Sequence, residues 1–227
     1  MRSIFYLTIL FILIAQAGFA QNRFGIMPQI NISFKLGDAW KVNSKLENRQ
    51  ILYQNPYDGI GGRAEFERTD LDLIITRNKG ALKGLGAGYL IRRYDADGGS
   101  FLHRFIQQYS FSRQLTGWSL AHRFRTDQSF RNDEATQYRL RYRIGLEKPL
   151  NGLEVDPQEF YLKFTNEYIG ILKDQVGNME VRAATSVGYN LNDNTQFESG
   201  LDYRAESLIR SDTEHLLWLT IGFYHSF

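Results

Sequence analysis

Apolar and polar residues alternate with a period of two along most of the chain beyond residue 24. Ile30–Leu36, Tyr138–Leu146 and Leu217–Phe223 show this pattern, and eleven such runs follow one another at intervals of roughly 15 to 20 residues. Successive side chains of a β-strand point to opposite faces, so the alternation predicts strands with one apolar and one polar face. Turn residues such as Gly37-Asp38 and Asn151-Gly152 separate the runs. The pattern therefore predicts an all-β protein.

The chemistry of the two strand faces favours a membrane barrel over a soluble sandwich. The polar face is dense in Arg, Asp and Glu, whereas the apolar face ends repeatedly in Tyr, Phe or Trp. Alternating runs of about ten residues with aromatic ends are typical of outer-membrane barrels, in which apolar residues face lipid and charged residues face a lumen. Hydrocarbon cannot hydrogen-bond to a free strand edge, so such a sheet has to close. A soluble periplasmic β-protein is the alternative, because its strands also alternate.

The expected architecture is a closed antiparallel up-and-down transmembrane β-barrel of about 10 to 12 strands. Single-chain bacterial barrels have even strand numbers. Because eleven is odd, the N-terminal part of the chain is expected to contain one strand more or one strand fewer than the runs indicate. Pro28 interrupts the pairing there, because proline donates no backbone hydrogen bond. Ten and twelve strands are both compatible with the pattern.

Residues 1–20 have the composition of a secretory signal peptide. Met1–Ser3 is a short positive region, Ile4–Ala15 is almost entirely apolar, and the small residues Gly18 and Ala20 match a cleavage site. A retained transmembrane helix is the alternative, but the apolar run is shorter than the about 20 residues that a membrane helix needs. We expect export, cleavage after Ala20 and a mature barrel domain, residues 21–227, in the bacterial outer membrane.

The chain ends on an alternating segment, Leu216–Phe227. Phe223 and Phe227 resemble the C-terminal insertion signal that the barrel-assembly machinery reads in outer-membrane proteins, although His225 stands where an apolar residue is usual. An ordinary edge strand that happens to end in Phe is the alternative. If the last strand runs toward the periplasm, alternate connections become outer loops. These are the segments near residues 54–65, 94–100, 127–136, 170–179 and 205–214.

Composition excludes several kinds of site. The 227 residues contain no Cys, so thiolate metal sites and disulfides are impossible. The net charge is only +2. The run Tyr138–Arg143 also puts Arg and Tyr on opposite faces, which argues against a nucleic-acid surface. We expect no metal, no cofactor and no nucleic-acid partner. The expected partners are outer-membrane lipid and, during insertion, the assembly machinery, and no oligomeric state is assigned.

Charged residues on the predicted lumen face fall into two groups. Three consecutive predicted strands carry six inward-facing arginines: Arg104, Arg123, Arg125, Arg139, Arg141 and Arg143. The early and late predicted strands carry five acidic residues: Glu47, Asp70, Asp72, Glu198 and Asp202. Early and late strands are neighbours in a closed barrel, so a basic wall is expected roughly opposite an acidic wall.

Two interpretations of these charges are compatible with the sequence. In one, the charges pair across a narrow lumen as a buried salt-bridge network that fills the barrel. In the other, the two walls stay apart across a water-filled pore for ions or small polar solutes. The sequence thus predicts a structural barrel or a narrow passive channel with a charged lumen.

A lipid-modifying enzyme at the barrel rim is a further alternative. By parity, the histidines at positions 103, 122, 215 and 225 all point away from the lumen, and His103 and His215 lie near the expected outer loops. The sequence contains no Gly-x-Ser-x-Gly motif, and no local grouping of Ser, His and Asp stands out. Catalysis is therefore not expected, and no catalytic residue is assigned.

Three local patterns point to a known family: the hairpin Ile30–Arg49 with its turn Gly37–Trp40, the Arg-rich strand Tyr138–Leu146, and the strand end Gly188-Tyr189. In these the mature chain resembles the uncharacterised outer-membrane barrel family catalogued as domain of unknown function 2490. The resemblance implies the barrel fold and the outer-membrane location. It implies no activity, because the family has no established chemistry.

Overall fold

The computed structural model describes residues 22–54, 64–80, 82–95, 99–210 and 212–227. These residues form eleven β-strands and no helix, which confirms the predicted all-β fold. No helix that could cross a membrane occurs among them. The predicted signal peptide, residues 1–20, lies outside the described residues.

The strands follow one another along the chain with short connections. Their bounds are β1 (Asn22–Leu36), β2 (Trp40–Gln54), β3 (Glu65–Asn78), β4 (Lys83–Tyr94), β5 (Phe101–Leu115), β6 (Trp118–Arg131), β7 (Gln137–Pro149), β8 (Glu159–Lys173), β9 (Val176–Asn192), β10 (Thr195–Glu206) and β11 (Glu214–Ser226).

The eleven described strands form one closed barrel in which each strand pairs with its neighbours in the chain. These neighbouring pairs are antiparallel, and the barrel closes through a parallel pairing of β1 with β11. An up-and-down sheet with an odd number of strands has its first and last strands running in the same direction, so its closure has to be parallel. The expectation of an even strand number is therefore wrong. Pro28 lies within β1 and does not end it.

The connections define two different ends of the barrel. The turn end carries Phe227 and the connections 37–39, 79–82, 116–117, 150–158 and 193–194. The loop end carries the connections that follow β2, β4, β6, β8 and β10. Their described residues are 64, 95, 99–100, 132–136, 174–175, 207–210 and 212–213. These five connections overlap the five segments that the sequence places together on one side.

Side chains on both faces of the sheet join β1 to β11. Inside, Trp218 is 1% exposed and packs over Gly25, where a Cβ atom would lie 2.5 Å from the indole. Trp218 also belongs to an apolar cluster with Met27, Ile51 and Leu216. Outside, the rings of Phe34 and Phe227 stack with their centroids 5.0 Å apart. Phe227, which follows β11, thus packs against β1.

Polarity across the barrel wall is inverted relative to a soluble protein. Every strand leaves at least one large apolar side chain exposed on the outside, for example Leu71 in β3, Leu140 in β7 and Ile221 in β11. Charged residues are buried on the inside, including Asp70, Arg104 and Arg204. Alternation with period two produces this arrangement, since each strand has one face on either side of the wall.

Gly188 provides a test of the packing near the turn end. The ring of Tyr161 lies against it, and a Cβ atom at Gly188 would be 2.1 Å from that ring. We expect Gly188→Ala to lower the free energy of unfolding by about 1–3 kcal/mol, because the buried Tyr161 has to shift. Gly170→Ala is the matched control, since the nearest neighbour of its added Cβ atom is the Leu140 carbonyl oxygen at 3.9 Å. Urea unfolding of both variants measures the difference, and equal midpoints would contradict the packing described here.

Candidate functional site

The inward faces of the strands enclose a central cavity of about 530 Å³. All eleven charged residues that the sequence assigns to the lumen line this cavity: Arg104, Arg123, Arg125, Arg139, Arg141, Arg143, Glu47, Asp70, Asp72, Glu198 and Asp202. Strand parity explains why they converge, because each residue shares the inward face of its strand with the residues two positions away.

The charges are interleaved and do not form two facing walls. Asp70 accepts two hydrogen bonds from Arg92 on the adjacent strand, at 2.7 and 2.6 Å. Glu47 accepts bonds from Arg49 on its own strand at 2.8 and 2.6 Å. Within the described residues, the two predicted groups meet in one ion pair, between Arg125 and Asp72 at 3.8 Å. The expectation of a basic wall opposite an acidic wall is therefore corrected: most acidic residues are neutralised by a cation on the same or a nearby strand.

Glu167 is the carboxylate shared by the largest number of described cations. Its side chain is 2% exposed and lies within 2.9 Å of Arg141, 3.2 Å of Arg143 and 3.3 Å of Arg123. Arg123 and Arg143 are register partners on β6 and β7, and Arg143 is the partner of Glu167 on β8. Like charges directly opposite each other repel, so the arginine-rich strands depend on this carboxylate. Arg141 also reaches Asp127 on β6 at 3.2 Å.

Sequence reasoning left several members of the network unassigned. They are inward-facing residues that form ion pairs in the lumen: Arg49, Arg92, Asp127, Glu167, Glu180, Arg182 and Arg204. The same parity signal marks them, since Asp127 is in phase with Arg123 and Arg125, and Glu167 is in phase with Lys163. Parity identifies the face of a residue but not its partner, so their pairing could not be read from the pattern.

Large side chains fill the middle and loop-side part of the lumen. Arg104 and Arg204 are 2% exposed, and Asp127 and Glu167 are 1% exposed. The inward-facing Ile106, Ile169 and Trp218 are equally buried between them. We call these seven residues, together with Glu47, Arg49, Asp70, Arg92 and Arg141, the plug. The plug residues come from nine of the eleven described strands, and seven of them also line the central cavity.

The turn-side part of the lumen is lined by smaller side chains. A second cavity, of about 370 Å³, lies there. Six residues line both this cavity and the central cavity: Asn78, Ser110, Arg123, Arg143, Lys163 and Thr165. Gly84, Ser112, Ala121 and Gly145 also line this second cavity. Its lining extends to Leu82, Lys83, Phe111 and His122 toward the rim of the wall. We call the turn-side space the vestibule. It exists because Gly, Ala, Ser and Thr occupy inward positions where the plug has Arg, Ile and Trp.

The histidines contact hydroxyl groups on the outer face of the barrel. His103 lies 2.6 Å from the Tyr89 hydroxyl, and His215 lies 2.6 Å from that of Tyr203. His122 and His225 are held at 2.9 Å by the hydroxyls of Tyr142 and Thr195, respectively. Among the described residues, no group of three His, Asp or Glu side chains could hold a metal ion.

Fold and site together define a closed β-barrel with an apolar outer surface and a charged, partly filled lumen. The chain belongs to a family described as protein of unknown function (DUF2490), whose model matches residues 24–215. This match confirms the resemblance to domain of unknown function 2490 and spans the lumen residues discussed above apart from Trp218. It does not reach Phe223 or Phe227. No curated protein matches the chain.

Removal of the Glu167 charge tests the network. We expect Glu167→Gln to lower the free energy of unfolding by about 3–5 kcal/mol, because three guanidinium groups lose their shared buried carboxylate. Glu134→Gln is the control: Glu134 lies in a connection at the loop end, with 35% of its side chain exposed, and binds Lys173. A hydrogen bond from Lys173 lowers the pKa of Glu134, but exposed pairs contribute at most about 1 kcal/mol. Urea unfolding measures both changes, and a similar loss in the two variants would contradict the role of Glu167.

Proposed function

We propose that this protein is an outer-membrane β-barrel with a structural role, whose lumen is closed by the plug. The observation that carries this proposal is the near-complete burial of plug charges such as Arg104, Asp127 and Glu167. An ion-conducting pore needs a continuous water-filled path. Large buried side chains from nine of the eleven described strands oppose such a path at the level of the plug.

The outer surface supports a membrane location. Twelve residues separate Trp118 from Phe130 along β6. At about 3.3 Å per residue and a strand tilt of about 40°, this separation corresponds to about 30 Å along the barrel axis, the thickness of a hydrocarbon core. Cations lie over indole rings at the turn end, with Arg77 5.8 Å from Trp40 and Lys148 4.9 Å from Trp118. Aromatic and basic side chains of this kind suit the level of the lipid headgroups.

Introducing one charged side chain on the outer surface tests whether the barrel folds in a membrane or in water. Leu140 on β7 is 65% exposed and pairs with Thr126, two residues from the midpoint of the Trp118–Phe130 span. Leu153 is 66% exposed in the connection at the turn end. An Arg at the bilayer midplane costs about 2–4 kcal/mol. We therefore expect Leu140→Arg to reduce the fraction that folds into phosphatidylcholine vesicles, and Leu153→Arg to leave it unchanged. Folding of both variants in buffer without lipid would overturn the membrane proposal.

Conductance tests whether the lumen is closed. Folded protein, identified by heat-dependent gel mobility, is expected to show no channel steps in a planar bilayer in which a general porin conducts. Reproducible channel steps whose conductance changes in Arg139→Gln would instead establish a narrow passive channel. This channel is the competing function, because the central cavity offers space for ions in the lumen.

We propose no catalytic role at the rim. His103 and His215, the histidines near the loop end, are held by Tyr89 and Tyr203 on the outer face of the sheet. Catalysis by a histidine at this position would need a nucleophile or a carboxylate beside it. Neither histidine forms an ion pair with an acidic residue in the described part of the chain.

A further inference from the structure

The lining of the central cavity carries an excess of positive charge. It includes thirteen Lys and Arg side chains but five Asp and Glu side chains. Three carboxylates behind the lining, Asp127, Glu167 and Glu180, reduce this excess without removing it. Charge of one sign inside low-dielectric walls produces a field that concentrates counter-ions. The lumen is therefore expected to attract anions.

Arg123 and Arg143 are the cations best placed to meet an anion from the vestibule. Their side chains are 26% and 34% exposed, whereas the side chain of Arg141 beside them is 8% exposed. They face each other in register and share Glu167, at 3.3 and 3.2 Å, with Arg141. The Nε atom of each is buried and makes no hydrogen bond to any described residue. One carboxylate thus serves three guanidinium groups, and two of these groups are open to the vestibule.

The surroundings of this pair leave room for a ligand and offer further donors. Arg123 and Arg143 line both cavities, as do Lys163 and the hydroxyl-bearing Thr165. Gly145, two positions from Arg143, lines the second cavity and has no side chain to occupy the space. Guanidinium groups bind carboxylate and phosphate oxygens through paired hydrogen bonds. The second cavity, of about 370 Å³, lies in the volume range of small-molecule pockets.

We propose that the vestibule is a binding site for a small soluble oxyanion, a phosphate or carboxylate compound, held by Arg123 and Arg143 with Lys163 as a further cation. The site goes beyond the structural role proposed above. It does not depend on whether the barrel conducts, because equilibrium binding to refolded protein is independent of transport.

Isothermal titration of the refolded full-length barrel at low salt, with inorganic pyrophosphate and separately with citrate, tests this site. We expect one anion bound per barrel. The double variant Arg123→Gln/Arg143→Gln should weaken binding at least tenfold, because each charged hydrogen bond contributes at least that factor. Arg141 still neutralises Glu167 in this variant, so the fold is expected to persist. Arg113→Gln, an exposed change on β5 outside both cavities, should leave the Kd unchanged.

A second variant changes the space and keeps every charge. A Cβ atom at Gly145 would lie 3.6 Å from its nearest neighbour, an ordinary contact, so a side chain fits the backbone there. Gly145→Leu should fill the vestibule beside Arg143 and weaken binding at least tenfold without lowering the stability of the barrel. Heat-dependent gel mobility confirms that each variant is folded.

The outcomes separate a specific site from general attraction. Binding of either anion that is lost in the double variant and in Gly145→Leu supports the site, and the ratio of the two Kd values distinguishes phosphate from carboxylate recognition. The proposal is overturned if folded wild-type protein binds neither anion. It is equally overturned if the double variant binds as well as wild type, or if Arg113→Gln weakens binding as much as the double variant does.

Discussion

Backbone hydrogen bonding between β1 and β11 closes the sheet, and the other features of the molecule depend on that closure. An open sheet with this alternation would leave two unpaired edges and would expose its charged face to the same surroundings as its apolar face. Closure turns the charged face of the sheet toward an enclosed lumen and leaves the apolar face outside. The contacts that secure it, Trp218 on Gly25 and Phe227 on Phe34, join residues from the two ends of the chain. The sheet is therefore complete only when the last strand has reached the first, a pairing of very high sequence separation.

Closure also forces the inward side chains to share a limited volume, and their sizes divide that volume in two. Arg, Ile and Trp fill the middle and loop-side part, where Arg204 and Ile169 are almost completely buried. Gly, Ala, Ser and Thr leave the turn-side part open beside Arg123 and Arg143. Both parts obey the same alternation. The plug and the vestibule differ because the inward-facing positions of the plug carry large side chains and those of the vestibule carry small ones.

An interior plug made of ion pairs is a costly way to fill a barrel, because burying charge in a low-dielectric space offsets much of the attraction within each pair. Apolar side chains of similar volume would fill the space with less desolvation. They would, however, make both faces of every strand apolar and remove the difference between outer face and lumen face on which correct register depends. The arginines therefore serve two purposes in this fold. In the plug, four of them, Arg49, Arg92, Arg141 and Arg204, pair with carboxylates. In the vestibule, Arg123 and Arg143 share Glu167 with Arg141.

The sequence by itself determined which face each residue occupies. Arg104, Arg141 and Glu47 were assigned to the lumen from parity, and the structure places all three in its lining. Parity is a local property of extended backbone and needs no knowledge of the neighbouring strands. The number of strands was visible as eleven runs, but the parallel pairing of β1 with β11 appeared only when the sheet closed. Tertiary structure also decided that Arg141 binds Asp127 and Glu167 and not the predicted acidic wall. Partners depend on register and on the stagger between strands, which are set by the whole ring of strands and by the volumes that meet inside it.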